Sequence, residues 1–183
     1  MSIIREPEPA KLIIGLFMKE TALFSDVFPL LEESFGGADM VGCWFDFDYT
    51  SYYDEEMGSP LFRRMVVFES MIPQYGLAGI KKTCSRLEFL YEKDERRRVN
   101  IDPGYLLASR FVLATGKDYS HRICIGEGVY ADLTLIYKDR DYTPLEWTYP
   151  DYADRRMRDF LLKARAKYLM DRKRAASENT YDS

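Results

Sequence analysis

Polar side chains that could contact a ligand are concentrated around the segment VNIDPGYLLASRFVLATGKDYSHRI, which runs from Val99 to Ile123. Arginine and lysine bind phosphate through charge-assisted hydrogen bonds, histidine exchanges a proton near neutral pH, and a carboxylate orients a hydroxyl or a metal ion. The residues that we predict to form a ligand site are Arg98, Asn100, Asp102, Lys117, His121, Arg122, Glu127 and Tyr130.

The first three of these residues alternate along the chain. Arg98, Asn100 and Asp102 therefore share one face if this part of the chain is extended. The next two residues, Pro103 and Gly104, predict a turn. A purely structural interpretation stays open, in which Asp102 caps this turn and Arg98 pairs with an acid of the preceding EKDE run.

The loop TGKDYSH predicts a hairpin that brings Lys117 close to Arg122 and so places two cations side by side. The loop is not a P-loop, because that motif needs a glycine five residues before Gly116 and a serine or threonine after the lysine. Phe111 and Asp118 occupy those positions. A phosphate would therefore be held here by side-chain charge, with Arg98 as a third cation.

No metal-binding motif accompanies these residues. His121 is the only histidine, and with Cys124 it offers two of the roughly four ligands that zinc requires. Asp46 and Asp48 share a face of a predicted strand and suit either Mg²⁺ beside a substrate phosphate or plain exposure to solvent. The sequence names no cofactor; a divalent metal ion is compatible with it, but no motif supports one.

Hydrophobic periodicity predicts the elements that must position these side chains. Alternating or continuous apolar runs indicate strands, and apolar residues three and four apart indicate helices. The predicted strands cover residues 11–18, 41–53, 61–72, 106–114 and 122–137, and the predicted helices cover 24–35, 77–91 and 154–174. This order predicts an α+β protein with a ferredoxin-like β-α-β-β-α-β core, a mainly antiparallel sheet, and an extra C-terminal strand and helix. We predict a single domain over residues 1–183 with a frayed tail at 176–183.

Five segments resemble a known family. RRRVNIDPGYL, ATGKDYSHRI, GVYADLTLIY and PLEWTYPDY, together with TSYYDEEMGSPLFRR, are similar to the bacterial family catalogued as domain of unknown function 4416. The resemblance covers nearly the whole chain. It implies a bacterial, soluble, single-domain protein, and it implies no reaction.

Composition and charge restrict the class of protein. The 183 residues carry a formal net charge of −4, which disfavours nonspecific nucleic-acid binding by the whole surface. Cys43, Cys84 and Cys124 are odd in number and lack a CxxC pair, so we predict three buried, reduced thiols. No signal peptide or membrane-spanning run is recognisable, so we expect a cytoplasmic protein without a membrane partner. The oligomeric state is not fixed by the sequence.

Two hypotheses for function follow. The first is a protein that binds, or an enzyme that acts on, a phosphorylated small molecule such as a nucleotide, with the cations holding phosphate and Asp102 or Glu127 orienting a hydroxyl or a metal. The alternative is a noncatalytic RNA- or protein-binding module that uses the basic C-terminal helix. The basic residues of that helix are Arg155, Arg156, Arg158, Lys163, Arg165, Lys167, Arg172, Lys173 and Arg174. The acidic strand WFDFDYTSYY disfavours an RNA-facing sheet, because such sheets combine stacking rings with basic residues.

Overall fold

One antiparallel sheet with helices on both faces makes up the fold. The computed structural model describes residues 3–181, with side chains through residue 177. The strands are β1 (Ala10–Met18), β2 (Ala38–Val41), β3 (Phe45–Asp46), β4 (Phe62–Ile72), β5 (Val99–Leu106), β6 (Arg110–Thr115), β7 (Arg122–Gly126), β8 (Val129–Lys138) and β9 (Asp141–Pro144). The helices are α1 (Phe24–Phe35), α2 (Asp54–Met57), α3 (Leu77–Leu90), α4 (Pro150–Ala153) and α5 (Arg155–Tyr181).

The sheet is antiparallel and has the order β2-β4-β1-β5-β6-β8-β7, with β3 paired to β4 and β9 paired to β8. The first strand lies between β4 and β5, and all of its residues are buried. Its continuous apolar sequence suits this position, because a central strand covered on both faces needs apolar side chains on both sides. This confirms the predicted α+β class and antiparallel sheet.

Helices cover both faces of β1. Ile14 and Leu16 point to the face where α1 and α3 pack. Ile13 points to the other face and belongs to the cluster that includes Met157 and Leu161 of α5. Since successive residues of a strand alternate between faces, α5 covers the face opposite to α1 and α3. The predicted positions of these three helices are confirmed.

The predicted turn at Pro103 and Gly104 is wrong, because both residues lie inside β5. Strand β6 pairs only with Gly104–Leu106, so Pro103 lies beyond the last paired residue and needs no N–H on that side. Gly104 is required by a close approach: a Cβ atom there would lie 2.5 Å from the carbonyl oxygen of Val112. The Pro-Gly pair therefore forms no turn and lies instead where β5 stops pairing with β6.

The predicted hairpin through TGKDYSH is also wrong. Strand β6 pairs with β8, and β7 pairs with the opposite side of β8 at the edge of the sheet. The predicted strand 122–137 divides into β7 and β8 at a tight turn, where Gly126, Glu127 and Gly128 all have positive φ. The chain therefore forms its hairpin between β7 and β8, and the loop after β6 crosses over β8.

Three further expectations change in the structure. The predicted strand 41–53 is mostly irregular, because only β2 and the two-residue β3 pair with β4. Cys84 is buried as predicted, but Cys43 and Cys124 are exposed; all three thiols are free. Helix α5 continues through residues 176–181 of the predicted tail, whose last two residues lie outside the described part. Between residues 3 and 181, no helix has the length and apolar character needed to cross a membrane.

Candidate ligand-binding cleft

A cleft of about 750 Å³ opens where β5 and β6 separate. Beyond Gly104 the two strands are no longer paired, and the cleft occupies the space between them. Its wall includes residues of both strands, of α3 and of the loop after β3, together with the segment that enters α4. A cavity of this size holds a small organic ligand.

Two side chains of α3 replace the missing strand beside β5. The backbone N–H of Ile101 donates to Glu88 Oε1 at 2.5 Å, and Lys81 Nζ donates to the carbonyl oxygen of Ile101 at 2.9 Å. Buried backbone groups need such partners. Burial raises the pKa of the Glu88 carboxyl, and the nearby Lys81 ammonium only partly opposes this. Side chains of α3 therefore provide hydrogen-bond partners for the unpaired edge of β5. No neighbouring strand is needed there, so the cleft stays open.

Arg63 lies fully buried in the wall of the cleft and joins two carboxylates. Its guanidinium forms an ion pair with Asp151 and lies 3.2 Å from Asp102 Oδ2. Three rings enclose its guanidinium carbon at centroid distances between 4.8 and 5.1 Å, namely those of Phe17, Phe47 and Tyr152. Burial raises the pKa of Asp151, the Arg63 charge opposes this shift, and the Asp102 charge adds to it. The buried arginine thus fixes two elements, β5 and α4, against β4.

Asn100 is a buried amide whose orientation is set by its neighbour. Arg97 donates to both carboxylate oxygens of Glu56, at 2.9 and 2.7 Å, and donates at 2.6 Å to Asn100 Oδ1. With its oxygen occupied, Asn100 presents its Nδ2 group elsewhere. Nδ2 is buried and has no hydrogen-bond partner within the described part of the chain.

Arg122 and Lys117 line the cleft beside the loop that follows β6. Arg122 donates to Asp132 Oδ2 at 2.9 Å, to the Tyr149 hydroxyl at 2.9 Å and to the carbonyl oxygen of Lys117 at 3.0 Å. The Lys117 ammonium donates to the Tyr52 hydroxyl at 3.0 Å and lies 4.2 Å from that ring's centroid. Among residues 3–177, no carboxylate lies within ion-pair distance of Lys117.

The structure brings together half of the predicted ligand site. Asn100, Asp102, Lys117 and Arg122 all line the cleft. Lys117 and Arg122 are neighbours, as expected, although β7 lies beyond β8 and does not pair with β6. The link between them is made by the arginine side chain and the lysine carbonyl.

Arg98 lies outside the cleft and pairs with Glu20 at 2.8 Å. Strand β5 begins only at Val99, so the alternation assumed for Arg98 does not extend to it. Arg97 lines the cleft instead. One residue of the run of three arginines does line the cleft, but periodicity does not predict which of the three it is.

The other three predicted residues also lie outside the main cleft. The His121 ring stacks on the indole of Trp147, with centroids 4.9 Å apart. Glu127 forms an ion pair with Lys82 and lines a smaller neighbouring cavity. Tyr130 is absent from the lining of either cavity.

Several residues that line the cleft are not predicted from the sequence, although the sequence pattern indicates some of them. Lys81, Ser85 and Glu88 are spaced as one helical stripe, on a side of α3 that resembles an ordinary solvated face. Arg63 interrupts an apolar strand, which indicates a buried charge. No sequence pattern indicates its partner Asp151, because only the fold brings Asp151 close to Arg63.

The described residues hold no cluster of metal ligands, and many basic residues of α5 form ion pairs. The described residues contain no group of three or more His, Cys, Asp or Glu side chains placed to hold a metal ion. Asp46 and Asp48 are exposed and do not line the cleft. Many basic residues of α5 contact partners within the chain: Arg155 and Arg158 pair with Asp141, Lys167 with Asp39 and Asp171, and Arg172 with Glu8.

Comparison with known proteins identifies a family. The family model described as Domain of unknown function (DUF4416) matches residues 8–168, a range that contains every residue lining the cleft. Comparison with curated proteins and with solved structures gave no match. Because the family model covers most of the chain, this protein belongs to the DUF4416 family.

Proposed function

We propose that the cleft binds a phosphorylated small molecule whose phosphate lies at Lys117 and Arg122. The observation that carries the proposal is the charge of Lys117. The three arginines that line the cleft, Arg63, Arg97 and Arg122, each contact a carboxylate at 3.2 Å or less, whereas no carboxylate of residues 3–177 reaches Lys117. A phosphate can therefore bind this ammonium without breaking an ion pair.

The backbone beside Lys117 is accessible to such a group. A Cβ atom at Gly116 would meet no atom within 4 Å, so the chain leaves open space there. Arg122 holds the Lys117 carbonyl oxygen, and the Thr115 hydroxyl accepts from the Lys117 N–H at 3.2 Å. These contacts support a loop held in place before the ligand arrives, which lowers the entropic cost of binding.

Aromatic side chains supply an apolar surface for the rest of the molecule. The lining rings are Phe47, Tyr49, Tyr52, Tyr53, Tyr149 and Tyr152. Rings of this kind stack on a nucleobase or cover the apolar face of a sugar. A nucleotide or a sugar phosphate therefore suits the cleft better than inorganic phosphate alone.

The proposal includes both a binding protein and an enzyme. For an enzyme, Glu88 would be the group for proton transfer, because it lines the cleft and burial raises the pKa of its carboxyl. A general acid needs this property near neutral pH.

A thermal-shift screen with nucleoside monophosphates, sugar phosphates and inorganic phosphate tests the proposal. A compound at about 100 times its Kd stabilises the protein by about 2.7 kcal/mol, which raises Tm by about 5 to 11 °C at this chain length. Calorimetry on Lys117→Ala should then show a Kd increased roughly ten- to a hundredfold.

Arg98→Ala is the matched control, because it removes a cation of the same region that lies outside the cleft. It should bind like the wild type. The proposal fails if no phosphorylated compound raises Tm, or if Lys117→Ala binds as tightly as Arg98→Ala.

We further infer a single domain with a ferredoxin-like core. The order β2-β4-β1-β5, with α1 and α3 on one face, supports this arrangement, and β6 to β9 would extend it. The free cysteines favour a reducing compartment, so the cytoplasm is our proposed location.

A further inference from the structure

We infer that Asn100 and Asp102, which we call the inner subsite, bind hydroxyl groups of a sugar within the ligand. The inference rests on the proposed function, because the sugar is taken to be part of the phosphorylated molecule. Both residues line the cleft on one face of β5. Their Cα atoms are about 6.6 Å apart, as residues two positions apart on a strand are.

Asn100 supplies a hydrogen-bond donor that lacks an acceptor. The residue is only 4% exposed, and its Nδ2 group has no partner among residues 3–177. Arg97 occupies Oδ1, and Glu56 holds Arg97 in place with two hydrogen bonds. The amide therefore cannot reverse without setting an N–H group against the guanidinium. A buried donor held this way indicates an acceptor that the chain itself does not provide.

Asp102 supplies acceptors beside that donor. One of its oxygens lies 3.2 Å from Arg63, the other lies 3.8 Å from Lys81, and the side chain is 27% exposed. A carboxylate has about four lone-pair sites, so these contacts leave capacity for a ligand donor. The inner subsite thus offers a donor and an acceptor to the same molecule.

This combination selects a chemical group. A phosphate or carboxylate only accepts hydrogen bonds and would be repelled by Asp102. An apolar group would leave Asn100 unpaired. A hydroxyl both donates and accepts, so neighbouring hydroxyls of a sugar ring satisfy both residues. The half-buried ring of Tyr53 lines the same cleft and provides apolar surface for the C–H face of the sugar.

The test compares ligands with and without hydroxyls on the same protein. The probes are ribose 5-phosphate, glucose 6-phosphate and adenosine monophosphate, with ethyl phosphate as the hydroxyl-free control. In calorimetry, at least one sugar-containing probe should bind the wild type about tenfold more tightly than ethyl phosphate. The 2-deoxy form of the tightest probe should lose part of that gain, and this measurement needs no variant.

Asn100→Asp removes the donor and keeps an oxygen for Arg97. Its added charge weakens every phosphate probe, so the diagnostic is the difference: the tightest sugar-containing probe should lose about tenfold more affinity than ethyl phosphate, whereas Lys117→Ala should weaken both by a similar factor. The inference is overturned if ethyl phosphate binds as tightly as every sugar-containing probe, or if the 2-deoxy probe binds as tightly as its parent. If no probe binds at all, the proposed function fails, and this inference fails with it.

Discussion

Glu88 provides a direct test of how the cleft is held open. Its carboxylate accepts a hydrogen bond from the buried N–H of Ile101, where a neighbouring strand would otherwise pair. Glu88→Ala leaves that N–H without an acceptor, which costs about 1 to 3 kcal/mol. For a chain of this length the change lowers Tm by about 2 to 12 °C. Glu88→Gln keeps an amide oxygen for Ile101, so its Tm at pH 7 should equal or exceed that of the wild type.

The pH dependence of stability distinguishes the effect of the Glu88 charge from the effect of its hydrogen bond. The pKa of Glu88 is raised above 4.5 in the folded protein, mainly by burial. The folded chain therefore holds more protons than the unfolded chain between these two pKa values, and stability falls as pH rises through that window. Glu88 contributes its full stability below about pH 4.5 and loses it at higher pH. Glu88→Gln should reduce this decline but not abolish it, because the pKa of Asp151 is also raised.

Thermal unfolding of the wild type and both variants, followed by circular dichroism from pH 4.5 to 7.5, measures these effects. We expect the stability of Glu88→Gln relative to the wild type to increase with pH, and Glu88→Ala to be the least stable protein at pH 7. If Glu88→Gln is as unstable at pH 7 as Glu88→Ala, then the carboxylate charge, rather than the acceptor, supports β5 and the reasoning is wrong.

Two other predictions concern packing and exposure. Gly104→Ala should destabilise the protein by about 1 to 3 kcal/mol in denaturant unfolding, because the new methyl group meets a backbone oxygen of β6. Gly79→Ala in α3 is its control and should stabilise by about 0.5 to 1 kcal/mol, since its methyl group meets no atom within 4 Å; equal effects would contradict the packing argument. In the native protein, a thiol reagent should modify Cys43 and Cys124 quickly, and Cys84 only after denaturant is added. Rapid native labelling of Cys84 would show that α3 is less firmly packed than described.

Some of the candidate site could be predicted because its spacing is local. Asn100 and Asp102 share a face of β5 whatever the rest of the chain does, since alternation is a property of every strand. Lys117 and Arg122 are close in sequence, and a short loop keeps them close in space. The arginine run does not reveal the residue at which β5 begins, so the sequence alone does not distinguish Arg97 from Arg98 as the residue that lines the cleft.

Local patterns in the sequence are sufficient to predict β1, α1, α3 and α5, because a continuous apolar run or a helical stripe specifies each element. The pairing of β6 with β8, and the loss of a neighbour to β5 beyond Gly104, can be seen only in the folded chain. Strand pairing joins residues far apart in sequence, so local periodicity carries no record of it. The ion pair of Arg63 with Asp151 joins residues 88 positions apart for the same reason. The cleft exists because two strands separate, and only the folded sheet contains that separation.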